Sequence, residues 1–472
     1  MENSIKRIAL INAPIDSRYQ DSTSLFCPPL GLMSIKAYLE QKDSEIEVLM
    51  LDGMIMQTEE IINKMLLFRP KYVGISIQLL SYKNAIHICR AAKQQAAFVF
   101  VGGHHATQMS EKIISRKHNC IDCVVCGDGE IPIYKICSGN YDIGRIPGIV
   151  LWDDYNQRVH SIPQSLCQLE DFPNPYRAKG IHYERYQRNL EKSGFHSKGG
   201  RYYRIYSHKG CRFRAKGKRC VFCGRADEGY RFLSVKRFFE NLDEMELSEQ
   251  DFIFDVGDDL CGNIDWLKEA VKYKEERSIQ LPIMGIFGRG DEVTLESAKY
   301  LSEFGVRDIT IGVESGDNSV LLKSGKEIDK ASTFYHAANL LFDNGIGITP
   351  SYVLGLPGES QRSLHNTVSH ARALYELSVS KLGMPPGEMV ANLLEPLPGS
   401  NAFELLEKRY PYKYLEEDEL EMEILQKDYF SLVFNLDTRG YEEFRTKMRE
   451  AGKEINRMAG FSDPQGWLSG EM

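Results

Sequence analysis

At 472 residues the chain is long enough for two or three domains, each burying its own core. Hydrophobic residues at 42% and charged residues at 26% are ordinary for a globular protein, and a net charge of −8 excludes a general nucleic-acid binder while leaving room for a local basic patch. The opening apolar run, Ile8 to Ile11, is too short for a signal-peptide core, and no stretch reaches the roughly 18 apolar residues of a membrane span. Eleven cysteines without a secretory signal then point to reduced thiols and metal ligation in the cytoplasm, not to a disulfide framework.

Over residues 1–145, strand-like runs at Ile8–Ile11, Ile46–Leu51, Tyr72–Ile77, Phe98–Val101 and Ile121–Val125 alternate with helical patterns. This spacing predicts an α/β fold with a doubly wound, Rossmann-like parallel sheet whose ligand lies beyond the carboxyl ends of the strands. Pro14, Asp52-Gly53, Ser76 and Gln78, Gly102-Gly103-His104-His105 and Gly127-Asp128-Gly129-Glu130 stand at those ends. The paired glycines let backbone approach a large flat ligand. Cys120, Cys123 and Cys126 imitate a cluster motif, but their strand places side chains three apart on opposite faces, so they read as buried thiols.

Pro28-Pro29-Leu30-Gly31-Leu32, Val101-Gly102-Gly103-His104-His105-Ala106-Thr107 and Cys126-Gly127-Asp128-Gly129-Glu130 together resemble the cobalamin-binding domain of the B12-dependent radical S-adenosylmethionine (SAM) family. The resemblance implies cobalamin contacts at Pro14, Ser76, Gln78, Gly102, Gly103, His104, His105, Gly127 and Glu130. The Asp-x-His-x-x-Gly signature that supplies a lower cobalt ligand is absent, so none is assigned. A domain that has lost its cofactor is the alternative.

Residues 146–200 read as a connection: a hairpin at 147–154, an extended Asp171-Phe-Pro173-Asn-Pro175, and a basic loop at 191–201. From 201 to 400 the alternation resumes, with strands over Tyr202–Tyr206, Phe252–Val256, Pro282–Phe287, Asp308–Val313 and Gly347–Leu354. Helical patterns follow at Ile264–Glu276, Leu295–Phe304 and Ser363–Leu377, which predicts a partial (β/α)6 TIM-like barrel with its functional residues at the strand carboxyl ends. Amphipathic helices at Ala402–Lys408, Glu416–Lys427 and Tyr441–Met458 make 401–472 a helical cap, and the acidic run Leu415–Glu423 a solvated face.

Cys211, Cys220 and Cys223 crowd one loop after the first barrel strand. Three thiolates suit a [4Fe–4S] cluster with one open iron better than structural zinc, which wants four protein ligands; a zinc knuckle using His208, or three unrelated buried thiols, stays the alternative. The Cys-x2-Cys half, with Phe222 before the last Cys, resembles the radical SAM motif, although the first gap is eight residues where three are usual. That resemblance implies SAM contacts at Phe222, Gly257, Asp258, Asp259, Arg289, Glu314 and Ser315, and it also takes in Gly355-Leu-Pro357-Gly358-Glu359 and Pro396-Leu-Pro398-Gly399-Ser400. The long gap carries Arg212, Arg214, Lys216, Lys218 and Arg219. It reads either as a solvated loop or as a clamp for an anionic or phosphorylated substrate that also lowers the flanking thiol pKa values.

The activity implied is a cobalamin-dependent radical SAM enzyme, foremost a methyltransferase acting on an unactivated carbon of a small molecule through a 5′-deoxyadenosyl radical. It would take electrons from an external flavodoxin- or ferredoxin-type donor and require no membrane or nucleic-acid partner. A cyclase or rearrangement enzyme that transfers no methyl, and a non-catalytic cobalamin or cluster sensor, are the alternatives. A tRNA methylthiotransferase is disfavoured by the missing amino-terminal cysteine set and RNA-binding barrel.

Overall fold

The computed structural model describes residues 5–17, 27–115, 119–175, 183–192, 201–249, 251–326, 330–411, 413 and 421–459. Its first sheet has seven strands: β1 (Lys6–Asn12), β2 (Ile46–Asp52), β3 (Tyr72–Ser76), β4 (Phe98–Gly102), β5 (Cys123–Val125), β6 (Ile149–Asp153) and β7 (Arg158–Ser161), in the order β2-β1-β3-β4-β5-β6-β7. The first five pair in parallel, and the β6–β7 hairpin joins antiparallel to β5. The sheet therefore runs past residue 145 and absorbs the expected hairpin.

Both faces are covered, which is why the strands read as continuous apolar runs. Ile8 and Leu10 pack with Leu39 and Ile133 on one side, while Ala9 and Ile11 pack with Ile61 and Ile86 on the other. The decoy cysteines divide as the alternation requires. Cys120 joins the second of these cores and Cys123 the first, where burial raises the Cys123 thiol.

The second sheet is all parallel, with β8 (Tyr202–Ile205), β11 (Phe252–Asp255), β12 (Ile283–Gly288), β13 (Val306–Glu314), β14 (Gly347–Leu354) and β15 (Val390–Leu393) side by side and β8 and β15 at its edges. Between β8 and β11 a two-stranded antiparallel ribbon, β9 (His208–Gly210) with β10 (Tyr230–Phe232), flanks the cysteine loop. The helices behind the sheet begin on side-chain caps: Asn263 for Ile264–Glu276, Thr294 for Leu295–Phe304 and Ser360 for Gln361–Leu382. Gly383 ends the last at φ +71°.

The β9–β10 ribbon, β15 at the edge of the sheet and the helix Tyr183–Lys192 inside the connection were not expected. That helix docks on the end of β2: the Tyr186 hydroxyl donates to Asp52, and Arg185 and Asn189 donate to the Ile55 and Met54 carbonyls at 3.3 Å each. The basic loop expected at 191–201 falls largely outside the described residues, as does most of the acidic run at 415–423. Carboxy-terminal helices occupy Asn401–Arg409, Met422–Phe434 and Thr438–Met458, the last tied to β15 by Asn456 Oδ1, which accepts from the Ala391 N–H at 2.8 Å. Among the described residues no helix is long and apolar enough to cross a membrane.

Candidate active site

Cys211 follows directly on β9 and starts a short helix, Arg212–Ala215. The chain then doubles back, and the Cys223 N–H donates to the Cys220 carbonyl at 3.1 Å. This turn is held from two sides: the Val221 N–H donates to Ser324 O (2.9 Å), and the Ala402 N–H donates to Val221 O (3.0 Å). Pro396–Ser400 closes over it so tightly that a Cβ on Gly224 would lie 2.8 Å from Leu397 Cβ.

The three thiols are free and half-buried. His208 is consumed by the fold: Nε2 accepts from the Asp259 N–H at 3.0 Å, Nδ1 meets Ser207 Oγ at 2.8 Å, and the ring stacks on Phe232 at 4.6 Å. Because Nε2 accepts, the imidazole proton sits on Nδ1 and no lone pair remains for a metal. Among the described residues no three His, Cys, Asp or Glu side chains converge as on a single ion. A zinc knuckle wants four protein ligands, and with His208 engaged the loop offers its three cysteines, the number that holds a [4Fe–4S] cluster with one iron open.

The basic insert turns largely inward. Arg212 pairs with Glu292 at 3.0 Å, and Arg219 donates to the Gly399 carbonyl. Arg214 spans two partners, donating to Cys223 Sγ at 3.4 Å and to Asp258 Oδ2 at 2.5 Å. Only the tip, 215–218, is exposed, with Lys218 lying 5.9 Å from the Phe213 ring. A clamp made of all five cations is therefore not what the insert forms. Nor does it depress Cys220: burial pushes that thiol up to about 11 against the pull of Lys326 and Arg289. Ligation of iron there must release the proton.

At the carboxyl ends of β11 to β13 the expected SAM residues adopt distinct roles. Gly257 faces the His208 ring, where a Cβ would lie 2.2 Å from Cε1. Asp258 is held by Arg214 and, at 3.3 Å, by Arg225. Asp259 is fully buried; its Oδ1 accepts from the Arg289 N–H at 3.3 Å, while its Oδ2 has no partner. Burial, then Glu292, pushes the Asp259 carboxyl up to about 7. An orphaned buried carboxyl oxygen beside the cysteine loop fits an ammonium-bearing ligand such as SAM.

Arg289 pairs with Asp291 at 2.8 Å and lies over Phe213 at 4.6 Å. Glu314 is buried at φ +66° and accepts from Lys326 Nζ at 2.8 Å. Ser315 is fully buried against Thr367 Oγ1 (3.1 Å), and Phe222 is half-buried in the loop. Sequence reasoning missed Lys326 and Arg214 as partners, since neither lies near its acid along the chain.

On the first sheet, Gln78, Gly103, His104 and Gly127 are exposed at the ends of the neighbouring strands β3, β4 and β5, with Ser76 and Gly102 half-buried behind them. Gly103 (φ +95°) and Gly127 (φ +74°) hold backbone conformations that side chains disfavour. This exposed, glycine-backed edge across three strands fits a large planar ligand such as a corrin. Pro14, His105 and Glu130 do not belong to it. All are buried: His105 packs edge-to-face on Tyr82 at 5.6 Å, and Glu130 accepts from Ser34 Oγ at 2.6 Å.

The exposed edge meets the cysteine loop directly. His104 Nδ1 accepts from the Ala226 N–H at 3.3 Å, and Gln108 donates to the Arg225 carbonyl at 3.3 Å. His104 keeps half of its side chain accessible, yet burial outweighs the nearby Asp227 and lowers its pKa.

The family model described as "B12 binding domain" matches residues 21–136, and that described as "Radical SAM superfamily" matches 205–371. Over 130 residues the chain is 27% identical to hopanoid C-3 methylase of Methylococcus capsulatus, covering 26% of this chain and 24% of that one. The chain's match thus spans about a quarter of that relative's length. Solved structures share the fold at lower identity. The cobalamin-dependent SAM radical enzyme OxsB superposes with a TM-score of 0.66 at 17% identity, over 87% of this chain and 62% of that one. The radical SAM methyltransferase TsrM from Kitasatospora setae gives 0.65 at 15%, over 84% and 73%. The chain thus carries a B12-binding domain followed by a radical SAM domain, with the cysteine loop of the second against the glycine-backed edge of the first.

Proposed function

We propose that this chain is a cobalamin-dependent radical SAM C-methyltransferase acting on an unactivated carbon of a small molecule. The observation that carries the reading is the contact of His104 with Ala226, which brings the glycine-backed edge of the first sheet against the loop of Cys211, Cys220 and Cys223. Hopanoid C-3 methylase and TsrM, both named for methyl transfer, support it. Held by the three cysteines, the cluster would supply the electron that splits SAM reductively, and cobalamin the methyl group.

The chain's own residues bind and orient. Asp259 offers its unpartnered oxygen to the SAM ammonium, Arg214 donates to a ligand sulfur, and Gln78, Gly103, His104 and Gly127 line the corrin edge. Abstraction of a hydrogen atom needs no general base, and this reading assigns none. Electrons come from an external donor. An anionic or phosphorylated substrate would meet the insert at its exposed tip, 215–218, which carries Lys216 and Lys218.

The test is anaerobic reconstitution with iron, sulfide and hydroxocobalamin, followed by dithionite and methyl-labelled SAM. Release of 5′-deoxyadenosine together with label in a modified small molecule supports the reading. 5′-Deoxyadenosine with an unlabelled product marks a rearrangement or cyclisation enzyme. No 5′-deoxyadenosine at all marks a sensor and overturns the proposal.

A further inference from the structure

Asp128 lies in the Gly127–Glu130 loop at the carboxyl end of β5, and its side chain reaches Lys209 and Arg231 of the other domain. Oδ1 accepts from Lys209 Nζ at 2.9 Å and Oδ2 from Arg231 at 2.7 Å, with all three side chains largely buried. Lys209 and Arg231 are directly opposite each other on the β9–β10 ribbon. Two cations facing across an antiparallel pair repel, so without Asp128 the ribbon would carry a built-in fault.

The joint is reinforced. Arg231 also donates to the Cys167 carbonyl at 2.6 Å, and Gln164 donates to the Asp128 carbonyl at 2.8 Å, so the connection is stitched into the same contact. The charges answer one another: Lys209 and Arg231 hold the Asp128 carboxyl below its usual range although burial pushes it up, and Glu130 and Asp128 raise Lys209. The ribbon so clamped runs through Gly210 straight into Cys211.

We propose that Asp128 is a positioning residue that locks the corrin-edge loop to the ribbon bearing the first cluster ligand, and so fixes how the two cofactor-binding edges face each other. The cofactor part of this rests on the function proposed above; the lock itself does not. Breaking it leaves Cys211, Cys220, Cys223 and the exposed edge chemically intact while loosening their mutual placement.

Two measurements on the full chain test this, with Asp128→Asn and the charge-conserving Asp128→Glu. In hydrogen exchange of the unloaded protein, Asp128→Asn should speed exchange about tenfold in peptides spanning 208–211 and 230–232, with β3, β4, β13 and β14 unchanged; Asp128→Glu should restore most of the protection. In the reduced, hydroxocobalamin-loaded protein, pulsed electron paramagnetic resonance should show the cluster-to-cobalt distance distribution at least doubling in width for Asp128→Asn, with iron and cobalt contents at wild-type levels. Unchanged exchange in the ribbon overturns the lock. A loosened ribbon with a wild-type distance distribution overturns the positioning role. If wild-type protein takes up no hydroxocobalamin, the proposed function fails on its own account, and ribbon exchange alone still decides whether Asp128 is the lock.

Discussion

Lys326 donates to Glu314 at 2.8 Å, and both side chains are almost wholly buried at the carboxyl end of β13. Glu314 sits at φ +66°, where β13 and β14 slip register, and Lys326 also donates to the Gly312 carbonyl. A left-handed Glu costs on the order of 1–3 kcal/mol and persists only where its surroundings over-determine it. Lys326→Met should leave a buried carboxylate unpaired and destabilise the barrel by about 3–5 kcal/mol. Lys326→Met with Glu314→Gln should recover most of that loss. Denaturant unfolding followed by circular dichroism checks both, and equal midpoints for Lys326→Met and wild type would refute the pairing.

Arg214 joins the insert to Cys223 and Asp258. Its guanidinium donates to Cys223 Sγ and to Asp258, so the long first gap brings a cation to the sulfur of a proposed cluster ligand. Hydrogen bonds to cluster sulfurs raise reduction potential. Arg214→Ala should keep iron content near wild type and move the cluster midpoint to more negative values. A potentiometric titration that finds no shift removes this role.

Iron loading separates the two cysteine sets. Replacing Cys211, Cys220 or Cys223 with alanine should abolish cluster absorbance after reconstitution. Replacing Cys123 or Cys126 should not, because the alternation of the β5 strand sends neighbouring thiols to opposite faces of the sheet. Iron content at wild-type levels in any one of the first three variants would contradict the cluster assignment.

Local patterning carried the parallel strands of both sheets, since runs such as Ile8–Ile11 are apolar on both faces. It missed β15, whose Val390-Ala391-Asn392-Leu393 is four residues long, polar at its third position, and preceded by Pro385-Pro386-Gly387. It also missed helix Tyr183–Lys192, a polar segment whose docking rests on Tyr186 reaching Asp52, 134 residues away. The cysteine loop and the glycine-marked strand ends were legible because their chemistry is local. The partners of Asp258, Glu314 and Asp128 were not, because each is a cation brought in by tertiary folding. His105 and Glu130 looked like edge residues only because strand-end position says nothing about which way a side chain turns.

Glu359, in the loop after β14, gives a pH signature. It is buried, accepts from the Gly355 N–H at 3.3 Å and from the Ser363 hydroxyl, and burial pushes its carboxyl up to about 7 from 4.5. A carboxyl raised on folding supports the native state fully below about pH 4.5, and that support is lost as pH rises through about 7. Glu359→Gln, uncharged at every pH, should therefore be more stable than wild type at pH 8.5, by on the order of 1–3 kcal/mol, and no more stable at pH 5. Thermal melts of the unloaded protein at the two pH values decide it: a difference that does not change with pH counts against the raised carboxyl.

Gly257 abuts the His208 ring at the proposed SAM edge. A Cβ at Gly257 would meet the imidazole at 2.2 Å, and the ring cannot retreat, because it is stacked on Phe232 and hydrogen-bonded to Ser207 and to the Asp259 N–H. Overpacking of this kind costs about 1–3 kcal/mol. It should also displace Asp259, whose backbone His208 holds. Gly257→Ala should accordingly weaken SAM binding to the reconstituted protein at least tenfold. His208→Ala alone loses the acceptor for Asp259 but opens space, so the double variant should bind SAM no worse than His208→Ala. That non-additivity is the mark of direct contact. If the two effects instead add, the glycine is required for some reason other than the ring beside it.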